Sequence, residues 1–365
     1  MRLQEFSSYT FFPGQHWSHT WERQHELVTR FAKLLPDKEL AICAPTGLLN
    51  HNPLSIGFLK RIIDYYHQVQ APEILNPIEP NMRMCDVKRI PFHNKIFGKI
   101  NFNLMNHDIK ISRNNFFWAT YMNPAIYEFF KRSGFRIYDI AERRSKNPHL
   151  NKNVLEWERK AVKEADLVII DNHATIKDYE GLNPNMYYIP QGVNPDTFHV
   201  LDNDVKREFI GYIGNLHFAI DYNFLRELIL NNSDEKFMII GGIMESKAEM
   251  ILNLPNVTYI PPVQKNSLNE YLAQMKIGLI PYIVNDHTVG VYPTKLFEYL
   301  SAGVPVVSTP LPEVVQYADD DYLKIISTPD NLSALCFKMV KSADVIKNNT
   351  WDRRWAEYLN LIQQC

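Results

Sequence analysis

Along the second half of the chain, short runs of consecutive apolar residues recur at a near-regular pitch: FIGYIG (209–214), FMIIGG (237–242), VTYI (257–260), IGLIPY (277–282), PVVST (305–309) and YLKIIS (322–327). Between them lie stretches such as DYNFLRELIL and SLNEYLAQM, whose apolar residues fall at the three- and four-residue spacing of an amphipathic helix. Unbroken apolar runs suit strands buried on both faces, and their alternation with helices predicts a parallel sheet covered on both sides. The expectation is a doubly wound domain of six strands. The first half alternates less regularly, with strands predicted at KELAICA (38–44), NFFWAT (115–120), FRIYDIA (135–141), ADLVIID (165–171) and MYYIP (186–190). TWERQHELVTRFAKLL (20–35) places Leu27, Val28, Phe31, Leu34 and Leu35 on one side of a helix.

The stretch QGVNPDTFHVLDNDVKRE (191–208) is polar and rich in turn formers, and it separates the two alternating regions. The resulting plan is an α/β chain with an N-terminal Rossmann-like domain over 1–192, a linker over 193–208 and a C-terminal Rossmann-like domain over 209–345. The remaining segment, 346–365, carries the helix WDRRWAEYLNLI (351–362), which has no strand after it and is expected to pack back on the first domain. With 365 residues, each domain can bury a full core. Open parallel sheets bind ligands outside the carboxyl ends of their strands, so the expected site is a cleft between the domains.

A composition of 45% hydrophobic and 22% charged residues is that of a soluble globular protein, and a net charge of −2 removes any global basic bias toward nucleic acid. Cys43, Cys85, Cys336 and Cys365 are scattered without CxxC pairing or metal-ligand spacing. They read as free thiols in a reducing compartment, with no metal site. The start MRLQEFSSYTFF lacks the long apolar core of a secretory signal, and no window approaches the apolar length of a membrane span. A cytoplasmic protein is expected, either soluble or peripheral on the inner face of the plasma membrane.

VYPTKLFEYLSAGVPVVST (291–309) poses an electrostatic problem. Its start and stop residues predict a short helix opening near Pro293 or Thr294 and closed by Gly303, then a buried strand. Lys295 falls in the first turn, where the helix dipole disfavours a cation. Thr294, Lys295 and Glu298 share one face, away from the apolar Leu296, Phe297 and Leu300. Two explanations are open. One is a surface Lys295–Glu298 ion pair, in the poorer orientation and worth at most a few tenths of a kcal/mol. The other is a bound phosphate at Lys295, with Glu298 accepting hydrogen bonds from a vicinal diol one turn further in. Phosphate followed by diol describes a nucleotide. The turn YIGNLHF (212–218) offers Gly214 for close backbone approach and Asn215 as donor and acceptor, without a full GxGxxG fingerprint.

YPTKLFEYLSAGVPVVST resembles the nucleotide-sugar motif of GT-B glycosyltransferases, particularly bacterial polysaccharide-type enzymes of the group 1 kind with the pattern Pro-x-Lys-Leu-x-Glu-Tyr-Leu-x-x-Gly-x-Pro-Val-Val. RIYDIAER, EADLVIIDNHATIKDY, YYIPQGVNPDTF, GYIGNL and IGLIPY fall in that family's order, and the resemblance covers residues 115–310. It implies a GT-B fold with two Rossmann-like domains. The implied reaction is a metal-independent hexosyl transfer without cofactor, from a nucleoside-diphosphate sugar, UDP-linked, to a saccharide or lipid-linked acceptor in surface polysaccharide synthesis. It also implies that Glu298 holds the ribose and Lys295 the diphosphate. Gly214 and the loop Gly290, Val291 and Tyr292 would meet the donor through backbone, and Val263 would lie against the base. Three positions depart from the pattern. Gly290 stands where many retaining members carry the first acid of a Glu-x7-Glu pair, which leaves retention against inversion open. Gln191 and Asn194 replace Asn and Asp in the linker pattern, and Glu142 stands near a place where relatives carry a second Asp. A nucleotide-sugar epimerase of the same fold and a catalytically degenerate GT-B partner subunit are the alternative readings.

In the first half, PGQHWSHTWERQHE (13–26) joins a strand to the amphipathic helix, at a place that faces the interdomain cleft in such folds. His16, His19, Glu22 and Arg23 are candidates there for contact with acceptor or donor phosphates; alternatively, the two tryptophans and the polar groups cap the helix. Glu142 and His19 are the candidates for the general base that an inverting transfer needs. The segment 83–113 combines Arg83, Lys88, Arg89, Lys95, Lys99, Lys110 and Arg113 with interleaved Ile90, Phe92, Ile96, Phe97, Ile100 and Phe102. Such a segment suits an anionic membrane surface or a lipid diphosphate, or else a half-buried helix with a solvated basic edge.

Overall fold

The computed structural model describes residues 3–15, 17, 21–43, 77–85, 95–148, 150, 152–201, 205–337 and 343–365. Contacts divide the chain into two units, each built on its own parallel sheet. The first holds Met1–Asp171, Thr175–Ile189 and Glu357–Cys365; the second holds Asn172–Ala174 and Pro190–Ala356.

The first unit carries β1 (Ser8–Phe12), β2 (Leu40–Cys43), β3 (Met82–Cys85), β4 (Asn115–Ala119), β5 (Phe135–Ile140), β6 (Leu167–Ile170) and β7 (Met186–Tyr188). They lie in the order β3-β2-β1-β4-β5-β6-β7, every neighbour parallel. The aromatic runs of β1 and β4 follow from burial on both faces, because successive side chains point to opposite sides of a strand. Phe11 meets Phe31 of the helix Arg23–Leu34 with ring centroids 5.3 Å apart, while its neighbour Phe12 meets Phe129 of the helix Pro124–Arg132 at 5.5 Å. Strand β3 lacks such a run and escapes sequence patterning. It is a sheet-edge strand whose Arg83 pairs with Glu39 (Nε–Oε1, 2.7 Å), so only half of it needs to be apolar.

A buried polar chain ties the centre of this sheet to the last helix, Trp351–Gln364, whose residues from Glu357 onward belong to the first unit. Arg23 Nε donates to Asp139 Oδ1 at 2.8 Å, with both side chains at most 1% exposed. Tyr358 Oη donates to Asp139 Oδ2 (2.9 Å) and accepts from Trp118 Nε1 (2.8 Å). The division between the units falls inside this final helix: Trp351, in the second unit, donates its N–H to Val193 O at 3.0 Å.

The second unit carries β8 (Phe209–Ile213), β9 (Lys236–Ile240), β10 (Val257–Ile260), β11 (Met275–Ile280), β12 (Val306–Ser308) and β13 (Leu323–Ile325), all parallel, in the order β10-β9-β8-β11-β12-β13. These are the six strands that the apolar runs predict. The helix Lys295–Ser301 ends as Gly303 foretells: with φ +71°, Gly303 donates its N–H to Leu300 O (3.0 Å), and Val304 donates to Tyr299 O (2.9 Å). That pair of bonds satisfies carbonyls the helix end would otherwise orphan. Residues 190–201 and 205–208, where a linker is expected, form no helix or strand and are fastened to this unit. Asn269 Nδ2 donates to Thr197 O (2.7 Å), and Arg207 Nη1 to Met275 O (2.8 Å).

Replacing Asp139 by Asn should cost the full-length chain about 3 kcal/mol of unfolding free energy, since it takes from the buried Arg23 guanidinium the carboxylate it is hydrogen-bonded to and leaves only the charge of Asp171 nearby. Urea titration of the two chains measures this; a loss below about 1 kcal/mol would mean that Arg23 is not held by that pair.

Candidate functional site

In the second sheet the strand order departs in opposite directions from β8 and β11, and the loops leaving two such neighbours part to form a crevice. Strand β8 turns there through Gly214, whose φ of +143° lies in the region that favours glycine. A Cβ at Gly214 would sit 2.5 Å from Lys295 Cε and 2.8 Å from its Nζ, so the missing side chain is what admits the lysine. Lys295 Nζ donates to Tyr282 Oη at 3.0 Å, just beyond β11, and lies 5.5 and 5.6 Å from the ring centroids of Tyr212 and Tyr282. This is cation–π geometry. Of the two explanations for Lys295, the ion pair with Glu298 is not among the ion pairs of the described residues, where its ammonium bonds Tyr282. The helix that carries the lysine is itself bolted to the strand: Ile213 N donates to the buried Tyr299 Oη at 2.8 Å.

Thr294, Lys295 and Glu298 are half-buried, while Leu296, Phe297 and Leu300 are buried, as the spacing requires. Gly290 closes a 3-10 turn, Thr288–Gly290, pinned by Asn285 Oδ1, which accepts from His287 N (2.9 Å) and Thr288 N (3.0 Å). Val291 is half-buried; Tyr292 is buried and donates its hydroxyl to Tyr317 Oη at 3.0 Å. Asn215 serves as a clip, its Oδ1 accepting from Gly242 N (3.1 Å) in the loop after β9. Val263, just past β10, is half-buried against the unit's core.

The same loops contain a residue that sequence reasoning passed over although it lies inside YIGNLHF. His217 contacts the Tyr282 ring edge-on at 5.6 Å, and its Nδ1 accepts from Ala219 N at 3.1 Å. Burial first, then the charge of Lys295 and the neighbouring His287, push its pKa from 6.5 down to about 4. The ring is therefore neutral near pH 7. A histidine three residues past a turn glycine could have flagged it, but a single imidazole in a loop is a common sight.

In the first unit, Arg23 is enclosed with Asp139 rather than presented to solvent. Glu22 caps the helix Arg23–Leu34 in a box with His25. Trp17 and Trp21 pack on that His25 at 4.8 and 5.4 Å, and Trp21 Nε1 donates to Glu26 Oε1 at 2.7 Å. These contacts match the helix-capping alternative. His16 and His19 lie outside the described residues. Glu142 follows β5, half-buried, and accepts a hydrogen bond from Asn147 Nδ2. In the basic segment, residues 86–94 lie outside the described residues, as do the side chains of Lys95 and Ile96. The helix Lys95–Ile109 buries Phe102, Met105 and Ile109 and exposes Lys99, Ile100 and Leu104. No helix among the described residues is long and apolar enough to cross a membrane.

Residues 207–343 match the family model described as Glycosyl transferases group 1. A curated relative, TuaH of Bacillus subtilis (strain 168), named as a glycosyltransferase of teichuronic acid biosynthesis, is 26% identical over 236 residues, 56% of this chain and 58% of its own. The chain thus spans little more than half the length of that relative. Among solved structures, sucrose-phosphate synthase from Thermosynechococcus elongatus superposes with a TM-score of 0.69 at 11% identity, covering 98% of both chains. HepE of Anabaena, solved in complex with UDP-glucose, superposes with a TM-score of 0.64 at 12% identity, covering 98% of this chain and 100% of its own. At such identities the likeness shows the fold, which is GT-B: two α/β units on parallel sheets with alternating helices.

Substituting Lys295 by Met should raise the His217 pKa above about 4, because a neighbouring cation no longer opposes protonation. An NMR titration of the imidazole Cε1–H reads this directly, and an unmoved midpoint would separate the two residues electrostatically. In the unsubstituted chain the depressed pKa makes folding stability fall as pH drops from about 6.5 toward about 4, since the unfolded chain takes up the proton first.

Proposed function

We propose that this chain, whose residues 207–343 match the glycosyl transferases group 1 model within a GT-B fold, transfers a sugar from a UDP-linked donor to a saccharide or lipid-linked acceptor in surface polysaccharide synthesis. The observation that carries the reading is Lys295. Its ammonium is laid against Gly214 and Tyr282, at the carboxyl ends of the two strands where the order reverses. Sheets of this kind take their ligands at such a point.

In this reading Lys295 and the backbone at Gly214 hold the diphosphate, and Glu298 accepts hydrogen bonds from the ribose hydroxyls. Val263 meets the base, and the loop through Thr294 from Gly290, Val291 and Tyr292 lies along the donor, with Asn215 closing its other side. As the glycosidic bond to UDP breaks, negative charge grows on the departing diphosphate. An ammonium fixed beforehand stabilises that charge without reorganising, so no bound metal or cofactor is invoked. The acceptor hydroxyl loses a proton as the new bond forms, and in an inverting course Glu142 or His19 would take it. Arg23, locked to Asp139, would act by positioning the helix that it opens, with His16 left as the phosphate contact of that loop. TuaH and HepE support the polysaccharide and UDP assignments by name and by bound ligand. The exposed basic edge at Lys99 would suit an acceptor held at an anionic membrane.

Replacing Glu298 by Ala should weaken UDP binding about 10- to 100-fold, the size of a lost hydrogen bond to a charged group, and Lys295→Ala should do the same. Isothermal calorimetry decides; an unchanged Kd for Glu298→Ala refutes the ribose role. Incubating the purified chain with UDP-sugars, with and without acceptor, should yield a glycoside only with acceptor. An epimerised UDP-sugar formed without acceptor would replace this reading with that of an epimerase.

A further inference from the structure

The loops leaving β8 and β11 hold two imidazoles for which the reading above has no use. Because His217 Nδ1 accepts the Ala219 N–H at 3.1 Å, a neutral ring must carry its proton on Nε2, and Nε2 has no partner among the described residues. Lys295 and His217 share a neighbour: the Tyr282 hydroxyl receives the Lys295 ammonium at 3.0 Å, and the Tyr282 ring receives the His217 ring at 5.6 Å. The second imidazole, His287, is 7% exposed and stands against Phe218 at 5.4 Å, with its buried Nδ1 unpartnered. Buried polar nitrogens are seldom left without a partner, and His287 Nδ1 together with the half-buried His217, which is within electrostatic reach of Lys295, suits an oxygen-rich ligand.

Resting on the donor-site reading above, we propose that His217 is a further donor-binding residue, whose Nε2–H hydrogen-bonds a diphosphate oxygen of the nucleotide sugar beside Lys295. The groups that face His217 are Lys295, His287 and Tyr282, with Tyr222 donating its hydroxyl to the His217 carbonyl at 3.3 Å. In the free chain, burial and the Lys295 charge keep the ring neutral. A diphosphate brings negative charge that offsets Lys295, so occupancy raises the proton affinity of Nδ1, the one nitrogen left to protonate, which gives up the Ala219 N–H when it takes the proton. Binding therefore takes up a proton below neutral pH and tightens as the pH falls. A single side chain thus donates one hydrogen bond at pH 8 and reinforces it with charge at pH 6.

UDP-glucose is the appropriate probe, because its phosphates are both esterified and do not titrate near neutral pH, whereas the terminal phosphate of UDP titrates at about 6. Calorimetric titrations of the unsubstituted chain, His217→Gln and His217→Ala, at about pH 8 and about pH 6 in buffers of different ionisation enthalpy, test the proposal. His217→Ala should bind about tenfold more weakly at both pH values. His217→Gln keeps an N–H donor near the Nε2 position; it should stay within about threefold at the higher pH and lose the proton uptake seen in the unsubstituted chain at the lower. Should the Ala chain fail to fold by circular dichroism, the Gln chain alone decides through that proton uptake. If the unsubstituted chain binds and both variants match it in affinity and proton uptake, the role of His217 is refuted while the donor site stands. If the unsubstituted chain binds neither UDP-glucose nor UDP, the donor-site reading fails, and the role of His217 with it.

Discussion

A lysine ammonium seated where two parallel strands end is the constraint around which the second unit is arranged. Lys295 reaches that place only because Gly214 has no side chain, and it stays there because the Tyr282 hydroxyl accepts a hydrogen bond from it and two tyrosine rings flank its charge. Other features then follow. The helix Lys295–Ser301 must run close to β8, and Tyr299 holds it there by accepting the Ile213 N–H. It must also stop after two turns, before the buried strand β12, and Gly303 stops it. Asn215, next to Gly214, ties the loop after β9 to the same turn through the Gly242 N–H.

That placement has an electrostatic price. A cation at the start of a helix meets the positive end of the dipole, and here it also lies against the buried rings of Tyr212 and Tyr282, with little water to screen it. The neighbourhood shows it in part: burial first, and then the lysine's charge, press His217 into its neutral form. A site that holds positive charge in excess and keeps its histidine uncharged is complementary to an anion in two ways. The lysine attracts it, and the neutral imidazole can gain a proton when it arrives. In the sugar transfer we propose, pre-organisation of this kind would favour charge that develops late, on a departing diphosphate, more than charge already solvated in the substrate.

The first unit uses similar residue types for a different end. Arg23, Asp139, Tyr358 and Trp118 form one buried hydrogen-bonded chain, in which each polar group satisfies the next. Trp17, Trp21, Glu22 and His25 pack and cap the start of a helix. By composition these residues are indistinguishable from a ligand-binding set. What distinguishes them is enclosure: an arginine 2% exposed beside a carboxylate has no hydrogen-bonding capacity turned to solvent for a substrate.

The second sheet was legible in the chain because its strands are buried on both faces, and full burial demands unbroken apolar runs that a reader can count. The helix face of Lys295 and Glu298, and its glycine stop, were legible because helical periodicity and φ > 0 are local properties. Edge strand β3 was not, since an edge needs only one apolar face and Arg83 could occupy the other. Nor could pattern assign Arg23 to Asp139, 116 residues away, or His217 to Lys295, 78 residues away, by the numbering of the chain. Sequence periodicity reports which side of its own element a residue faces. Which charge stands opposite it, and how much water lies between, depends on elements brought together from distant parts of the chain, and only that assembly sets whether a polar side chain is a structural partner or a ligand contact.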